Sequence, residues 1–436
     1  MPSENAYSQP VTLKNVLKFA VPTIVMTVFM SFYTMIDGLF VSNLLGTDAL
    51  SAINLSAPII SLVTAVSTML ATGGSAVIMK KAGEGKIEEA RRDFTFLILV
   101  NIGVGILMSL LGYALMDKIF AGMGLSQKVF DYCHAYLSRY LLFMVPILLM
   151  NNFTLYMIAS GRSTLSMLCS ITGGVLNILL DYLLIEVFQM GIAGAAIATI
   201  SSQLLSAILV VRALMKTDDM YKLEWNKVRI DRRMLQRIVR IGIPAGMQSV
   251  MYNISNVIIQ AGVNTLGTDN VTAWATYGKV DGLYWMMINA LGISVTTFVG
   301  QNFGAQQYHR VRKSIWVCMG MAALTTILFS VLFYFAASPL IGLFSTDQAV
   351  LAEGVGIMRF LAPWYIAFVC IEIFSGAIRG TGDSLIPMLI TTSGVCVLRV
   401  VWIYAVLPLN HTFHNLVLSY PVSWILTSIL FLIYYF

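Results

Sequence analysis

The sequence has 436 residues, of which 58% are hydrophobic and only 11% are charged, and its mean hydropathy is +0.80. Soluble domains carry about 25% charged residues, so this composition excludes an ordinary soluble protein and indicates an integral membrane protein. The formal net charge is +6, but most of the basic residues lie in the tail and alternate loops, which argues against nucleic-acid binding.

Apolar runs recur from one end of the chain to the other. A helix needs about 20 apolar residues to cross the hydrocarbon core, whereas barrel strands are only about 10 residues long. Runs of this length therefore predict an all-α integral membrane protein with twelve transmembrane helices. The predicted helices cover residues 17–44, 50–79, 94–115, 136–159, 165–188, 191–215, 238–264, 271–300, 315–335, 356–377, 385–407 and 417–436.

The second half of the sequence repeats the first. The residues Leu-Gly-Thr-Asp at 45–48 return 221 residues later at 266–269, and Pro22 matches Pro244 with a shift of one residue. Each repeat contains six predicted helices, an even number, so both repeats enter the membrane from the same side. We therefore expect two parallel repeats.

The positive charges predict the orientation, with both termini in the cytoplasm of a multi-pass protein of the cell (inner or plasma) membrane. The central linker is either a helix lying on the anionic membrane surface or a solvated tether. The predicted domains are a cytoplasmic tail at 1–14, an N-lobe at 15–215, the linker at 216–235 and a C-lobe at 236–436.

Ionisable side chains within apolar runs are the strongest chemical signal, because each is costly in hydrocarbon and marks a candidate functional site. The first repeat has Asp37 and Asp181, with no Lys or Arg in the apolar parts of its helices. Each acid must hold a proton, bind a cation or meet water. Tyr33 precedes Asp37 by four residues, and Asn177 precedes Asp181 by four, so each pair shares a helix face.

Other polar side chains could complete a shared site in the first repeat. Asn151 and Asn152 lie in the middle of the predicted helix at 136–159, and Thr199, Gln203 and Ser206 form a polar stripe on the helix at 191–215. Their oxygens could bind a cation or accept a proton.

The second repeat lacks these groups. At an offset of 221 residues, Asn177 and Asp181 match Leu398 and Trp402, and Asp37 matches an isoleucine. The predicted helices are therefore duplicated, but the acidic and amide residues of the candidate site are not.

The second repeat has its own ionisable residues, Lys279, Asp281, Glu372 and Arg399. For Lys279 and Arg399 we favour structural ion pairing, for example between Arg399 and Glu372. Asp281 and Glu372 could attract a positively charged substrate.

A neutral polar stripe on the helix at 238–264 is typical of the wall of a wet cavity. Its members recur every four residues: Gln248, Tyr252, Asn256, Gln260 and Asn264. Large apolar side chains at 284–287, including Met287, and at 364–365 either pack in the protein or provide adaptable surface for aromatic cations.

No sequence feature indicates an enzyme or a cofactor. The chain lacks a GxxxxGK[ST] phosphate-binding loop, and its five cysteines show no metal-ligand spacing. We therefore expect a coupling ion in place of a cofactor.

The duplicated six-helix repeats, the proline early in the first helix of each repeat, and the segment 161–167 paired with 379–388 resemble the multidrug and toxic compound extrusion (MATE) family. The resemblance covers essentially the whole chain and is strongest to the MepA-like branch, whose acids lie in the N-lobe. It implies a V-shaped, two-lobed transporter that exports drugs by alternating access.

That branch carries its cation or proton site on helices 1, 5 and 6. The resemblance assigns this site to Asp37, Asn177, Asp181 and Thr199, with Asn151 and the Ala195 carbonyl as supporting groups. Another branch has a glutamate in helix 7, where this chain has no acid.

The expected function is antiport of H⁺ or Na⁺ against small organic substrates, chiefly cationic and amphipathic, by a monomer in contact with membrane lipids. One alternative is a lipid-linked oligosaccharide flippase of the same superfamily, which should line its cavity with basic residues to hold a pyrophosphate. A channel or facilitator without ion coupling is the other.

Overall fold

The computed structural model describes residues 21–435 except 24, 27, 31, 34–35, 37–43, 45–46, 123–126, 160–161, 217–220, 228–230 and 345–346. The described residues form helices joined by turns and short connections, which confirms the all-α prediction. They belong to two compact units, which contain Val21–Val239 and Arg240–Phe436. The domain limits given above stay predictions.

The first unit is built around three helices that contact one another, α4, α5 and α6. Helices α3 and α4 meet at Phe143 with a bend of 65°, where the sequence predicted one continuous helix at 136–159. The helices of this unit are α1 (Thr47–Gly83), α2 (Ile87–Gly122), α3 (Gln127–Leu142), α4 (Met144–Ala159), α5 (Ser163–Asp181) and α6 (Ile192–Lys216).

In the second unit the long helix α8 is central, because it packs against α9, α11 and α12, and α12 also packs against α15. Helix α7 begins before the unit boundary and continues beyond it. The helices are α7 (Arg232–Asn264), α8 (Thr268–Gly304), α9 (Tyr308–Phe335), α10 (Ala337–Gly342), α11 (Gln348–Leu361), α12 (Tyr365–Gly380), α13 (Leu385–Thr391), α14 (Leu398–Val401) and α15 (Phe413–Tyr435).

The internal repeat is also seen in the residues at which equivalent helices begin and end. Helix α1 runs from Thr47 to Gly83, and α8 runs from Thr268 to Gly304, an offset of 221 at both ends. Each repeat also contains a π-helical turn in this part of the chain, Tyr182–Val187 in the first and Trp402–Val406 in the second. The predicted duplication is therefore confirmed at the level of individual helices.

Nine helices in the described part of the chain are long and apolar enough to cross a membrane, or ten if the bent pair α3 and α4 forms one span. Helix α7 is not among them, because arginines and the polar stripe reduce its hydropathy. The predicted helix at 17–44 lies largely outside the described residues. Helices α2 and α9 begin seven residues earlier than predicted, because a polar first turn can continue a helix beyond its apolar run.

The central linker is held on the first unit. Tyr221 is buried and packs edge-on against Phe94, with ring centroids 4.9 Å apart. The Glu224 N–H donates to Thr95 Oγ1 at 3.0 Å, and the Glu224 carboxylate lies 3.8 Å from Arg91. Tyr221 and Glu224 are therefore packed on the first unit, and the two readings of the linker as a whole stay predictions.

Candidate functional site

The end of α5 carries two predicted site residues. Asn177 and Asp181 are both fully buried and lie one turn apart. A π-helical turn, Tyr182–Val187, begins directly after Asp181, and such turns are frequent at functional sites. Gly173 allows α6 to approach closely, because a Cβ there would lie 2.2 Å from Ser206 Oγ.

The Asn177 amide connects α5 with α6. In the orientation that satisfies both neighbours, Asn177 Nδ2 donates to Asp181 Oδ2 at 2.8 Å, and Asn177 Oδ1 accepts from the Thr199 N–H at 2.9 Å. Thr199 Oγ1 donates to the Ala195 carbonyl at 3.1 Å. Asn177, Asp181, Thr199 and Ala195 therefore form one group, which we call the N-lobe cluster.

The N-lobe cluster has the chemistry of a cation or proton site. Its carboxylate, amide, hydroxyl and carbonyl oxygens are the ligand types that hard cations prefer. A carboxylate buried at membrane depth is costly unless a proton, a cation or strong hydrogen bonds compensate it. The fourth predicted ligand, Asp37, lies outside the described residues.

A cavity of about 280 Å³ lies in the first unit and reaches Gly173, one turn of α5 before Asn177. Its lining combines polar and apolar side chains, among them Tyr33, Asn151, Gln203, Met26, Met30 and Met150. Three predicted residues, Tyr33, Asn151 and Gln203, therefore line this cavity and not the N-lobe cluster itself.

Gln203 leaves an acceptor available next to this cavity. Its Oε1 atom is buried and accepts no hydrogen bond from the described residues. Buried acceptors are normally satisfied by protein or water.

The structure separates the neighbouring residues Asn151 and Asn152. Asn152 is fully buried, donates to Asn101 Oδ1 and accepts from Ser67 Oγ at 3.1 Å. Asn101 in turn donates to the Leu97 carbonyl at 2.8 Å. Asn101 and Ser67 were not predicted from the sequence, although an asparagine within the apolar run of α2 is a signal that could have identified Asn101.

In the second unit, Asp281 is buried with both carboxylate oxygens engaged. Trp285 Nε1 donates to Oδ2 at 2.5 Å, and the Tyr365 hydroxyl donates to Oδ1. The hydroxyl oxygens of Tyr277 and Tyr365 are 2.8 Å apart. These side chains form a hydrogen-bonded aromatic cluster around the acid.

The suggested Arg399–Glu372 pair is wrong. Glu372 Oε1 lies 3.7 Å from Arg379 Nη2, whereas Arg399 Nε donates to Ser423. Lys279 is exposed, with its ammonium 5.4 Å from the ring centre of Phe344.

The remaining residues predicted to face a substrate differ in exposure. Gln248 and Met287 are buried, Tyr252 is partly buried and Asn256 is exposed. Their predicted role in substrate binding stays a prediction.

The family model for MatE matches this chain twice, over residues 22–183 and 244–405. The two matches begin at Pro22 and Pro244 and together cover most of the sequence. The chain belongs to the MATE family. It is therefore placed among membrane transporters and not among enzymes, as the sequence predicted.

Two bacterial MATE relatives match over most of their length. The probable multidrug resistance protein YoeA of Bacillus subtilis (strain 168) is 23% identical over 394 residues, which cover 88% of this chain and 84% of the relative. The multidrug export protein MepA of Staphylococcus aureus (strain NCTC 8325 / PS 47) is 22% identical over 373 residues, covering 85% and 82%. The resemblance to MepA is thereby confirmed.

Solved structures share the MATE fold of this chain. A MOP superfamily transporter from Pyrococcus furiosus, described by the reverse polarity of its binding pocket, superposes with a TM-score of 0.92 at 18% identity, covering 100% of this chain and 97% of the other. A multidrug resistance MATE transporter in an outward-facing conformation gives a TM-score of 0.91 at 18% identity, with the same coverage.

Proposed function

We propose that this MATE protein is a secondary active multidrug efflux transporter that exchanges a cation for an organic substrate by alternating access. The N-lobe cluster carries the proposal, because it buries a carboxylate among neutral oxygen ligands next to a cavity. The names of YoeA and MepA support drug export.

The proposed coupling ion binds at Asp181, with Asn177 and Thr199 as neighbours and Asp37 as the predicted second acid. Two carboxylates in a low dielectric cannot both remain charged cheaply, so one proton or Na⁺ is bound and released in each cycle. We favour H⁺ and place Na⁺ second. If ion and substrate favour different conformations, each must weaken the binding of the other.

The proposed substrates are small organic molecules, chiefly amphipathic cations. The cavity in the first unit suits them, because Met26, Met30 and Met150 can adapt to different shapes while Tyr33 offers a ring for stacking. In the second unit the proposed substrate residues are Glu372, Gln248, Tyr252, Asn256 and Met287, whereas both carboxylate oxygens of Asp281 already accept hydrogen bonds within that unit. We further propose a monomer in the cell membrane with both termini in the cytoplasm.

Two basic residues of the second unit, Lys279 and Arg399, are the candidates for holding the pyrophosphate of a flippase substrate. Arg399 is buried and donates to Ser423, and Lys279 is exposed, so the two do not form a paired phosphate site.

Transport by purified protein in proteoliposomes tests the proposal, with the aromatic cation ethidium as the probe. An H⁺ or Na⁺ gradient directed out of the vesicles should drive ethidium inward against its own gradient. The Asp181→Asn variant should lose ion-driven uptake by about tenfold or more, because it cannot carry the exchangeable charge. Asp117→Asn serves as the control, since Asp117 is an exposed acid of the same unit.

Two outcomes would contradict the proposal. Uptake that follows neither ion gradient and only equilibrates ethidium would indicate a facilitator or channel. Full ion-driven uptake by Asp181→Asn and by Asp37→Asn would show that coupling occurs outside the N-lobe cluster.

A further inference from the structure

The helix contact that carries the N-lobe cluster is repeated in the second unit. In the first unit, a Cβ at Gly173 would lie 2.2 Å from Ser206 Oγ; in the second, a Cβ at Gly394 would lie 2.3 Å from Thr427 Oγ1. Both residues of the second pair follow those of the first by 221 positions. The two units therefore bring together equivalent helices at an equivalent point.

An extra π-helical turn contains Gly394 and changes the register of the residues that follow it. Residues Thr392–Val397 are π-helical, whereas the matching residues of the first unit, 171–176, lie within the regular helix α5. A π turn accommodates about one additional residue. Beyond this turn the offset between matching residues therefore becomes 222.

In this register Arg399, and not Leu398, takes the place of Asn177. The constant offset of 221 in the sequence comparison does not include this extra π-helical turn. On the facing helix α15, Tyr420 stands where α6 has Thr199. The second unit thus places an arginine and an aromatic ring where the first has the N-lobe cluster.

The Arg399 side chain is enclosed by the second unit. It is only 4% exposed, Nε donates to Ser423 Oγ at 2.9 Å, and the guanidinium lies 3.8 Å from the ring centre of Tyr420. Cation–π contact and hydrogen bonds compensate a buried guanidinium only in part, so an opposite charge is expected nearby.

Trp424 connects Arg399 with Asp281. The guanidinium lies 5.8 Å from the Trp424 ring centre, and this ring lies 6.0 Å from Trp285 and 5.7 Å from Tyr365, the two residues that donate to Asp281. In a low-dielectric interior, opposite charges attract across such an intervening ring.

We propose that Arg399 is a built-in cation: it permanently occupies, in the second repeat, the place that the first repeat keeps for an exchangeable ion. The guanidinium neutralises Asp281, so the second repeat neither binds nor releases an ion during transport. The comparison with the first repeat rests on the proposed function, whereas the charge balance between Arg399 and Asp281 can be measured without transport.

The test uses the purified full-length protein and its melting temperature, followed by tryptophan fluorescence between about pH 5.5 and about pH 8. The other titratable groups that face Asp281 or Arg399 are Tyr252, Tyr277, Tyr284, Tyr365, Tyr420 and Cys396. Phenols and thiols ordinarily ionise near pH 10 and pH 8.5, so across this range Asp281 is the acid under test.

In Arg399→Gln, a proton must replace the missing positive charge at Asp281. Its melting temperature should therefore fall by at least about 3 °C more at the alkaline end than at the acidic end, relative to the unchanged protein. Arg399→Lys should show the same pH dependence of the melting temperature as the unchanged protein. So should Lys279→Gln, a control at an exposed basic position. The double variant Arg399→Gln with Asp281→Asn should lose the added pH dependence.

Equal destabilisation of Arg399→Gln at both ends of the range, or an added pH dependence that persists in the double variant, would overturn the proposal. If Arg399→Gln yields no folded protein, recovery of folded protein in the double variant supports the charge balance, and failure of the double variant overturns it. If the unchanged protein shows no ion-driven transport, the proposed function is wrong, but the charge balance between Arg399 and Asp281 is unaffected by that result.

Discussion

The contact between α8 and α12 provides the sharpest quantitative prediction, through the substitution Gly376→Ala. These helices hold Asp281 and Tyr365, and they cross where small residues let their backbones approach. A Cβ at Gly376 would lie 2.7 Å from the Gly292 carbonyl oxygen and 2.7 Å from Val295 Cγ1. Because the carbonyl belongs to the helix backbone, it can move away only if α8 moves.

Overpacking of this kind costs about 1–3 kcal/mol, and contact with backbone favours the upper end. Replacing glycine by alanine within a helix returns about 1 kcal/mol of helix propensity. We therefore expect Gly376→Ala to lower the free energy of unfolding by about 2 kcal/mol, or about 4–8 °C in melting temperature.

Gly356→Ala is the matched control. Gly356 is an exposed position of α11 where an added Cβ meets no atom within 4 Å, so the same substitution should raise the melting temperature slightly. A thiol-reactive dye can report unfolding, because Cys318 and Cys396 in this unit are buried. Equal shifts for the two variants would refute the packing argument.

Three further predictions concern the first unit and the linker. Gly173→Ala should reduce ion-driven uptake, since its Cβ meets Ser206 Oγ, and adding Ser206→Ala should restore part of the loss; failure of this rescue would contradict the clash. Asp231 accepts hydrogen bonds from N–H groups in the first turn of α7, which hold the pKa of its carboxyl below the ordinary value. Asp231→Ala should therefore cost about 1 kcal/mol at neutral pH, a difference that disappears as the pH falls through the lowered pKa; an equal cost in acid would contradict this cap. Cysteines replacing the exposed residues Lys86 and Asn226 should resist a membrane-impermeant reagent in intact cells and react after permeabilisation, whereas labelling of intact cells would reject the topology.

Local periodicity was sufficient to predict the core of the N-lobe cluster. Asn177 and Asp181 are four residues apart on one helix, and their contact follows from helical geometry alone. The polar stripe on α6 identified Thr199, but the same stripe placed Gln203 in the cluster, whereas the structure places it in the cavity lining. Which polar residue of a stripe meets the neighbouring helix depends on how the two helices pack, and one sequence does not contain that information.

The missed features depend on tertiary contacts. The bend at Phe143 and the extra π turn at Thr392–Val397 occur inside apolar runs that are also compatible with straight helices. By contrast, Glu372 and Arg379 are seven residues apart on α12 and share one face, so spacing alone could have identified this pair.

The two proposals together predict the effect of giving the first repeat the fixed charge of the second, by Asn177→Arg. A guanidinium beside Asp181 should neutralise the carboxylate permanently, so the variant should remain folded but lose ion-driven uptake of ethidium in proteoliposomes. Asn226→Arg is the matched control, because it adds the same side chain at an exposed asparagine of the first unit, outside the N-lobe cluster and the cavity lining. It should retain ion-driven uptake of ethidium. A folded Asn177→Arg variant that still accumulates ethidium against its gradient would show that the charge of Asp181 need not be exchanged, and the cation site would then have to lie elsewhere in the chain.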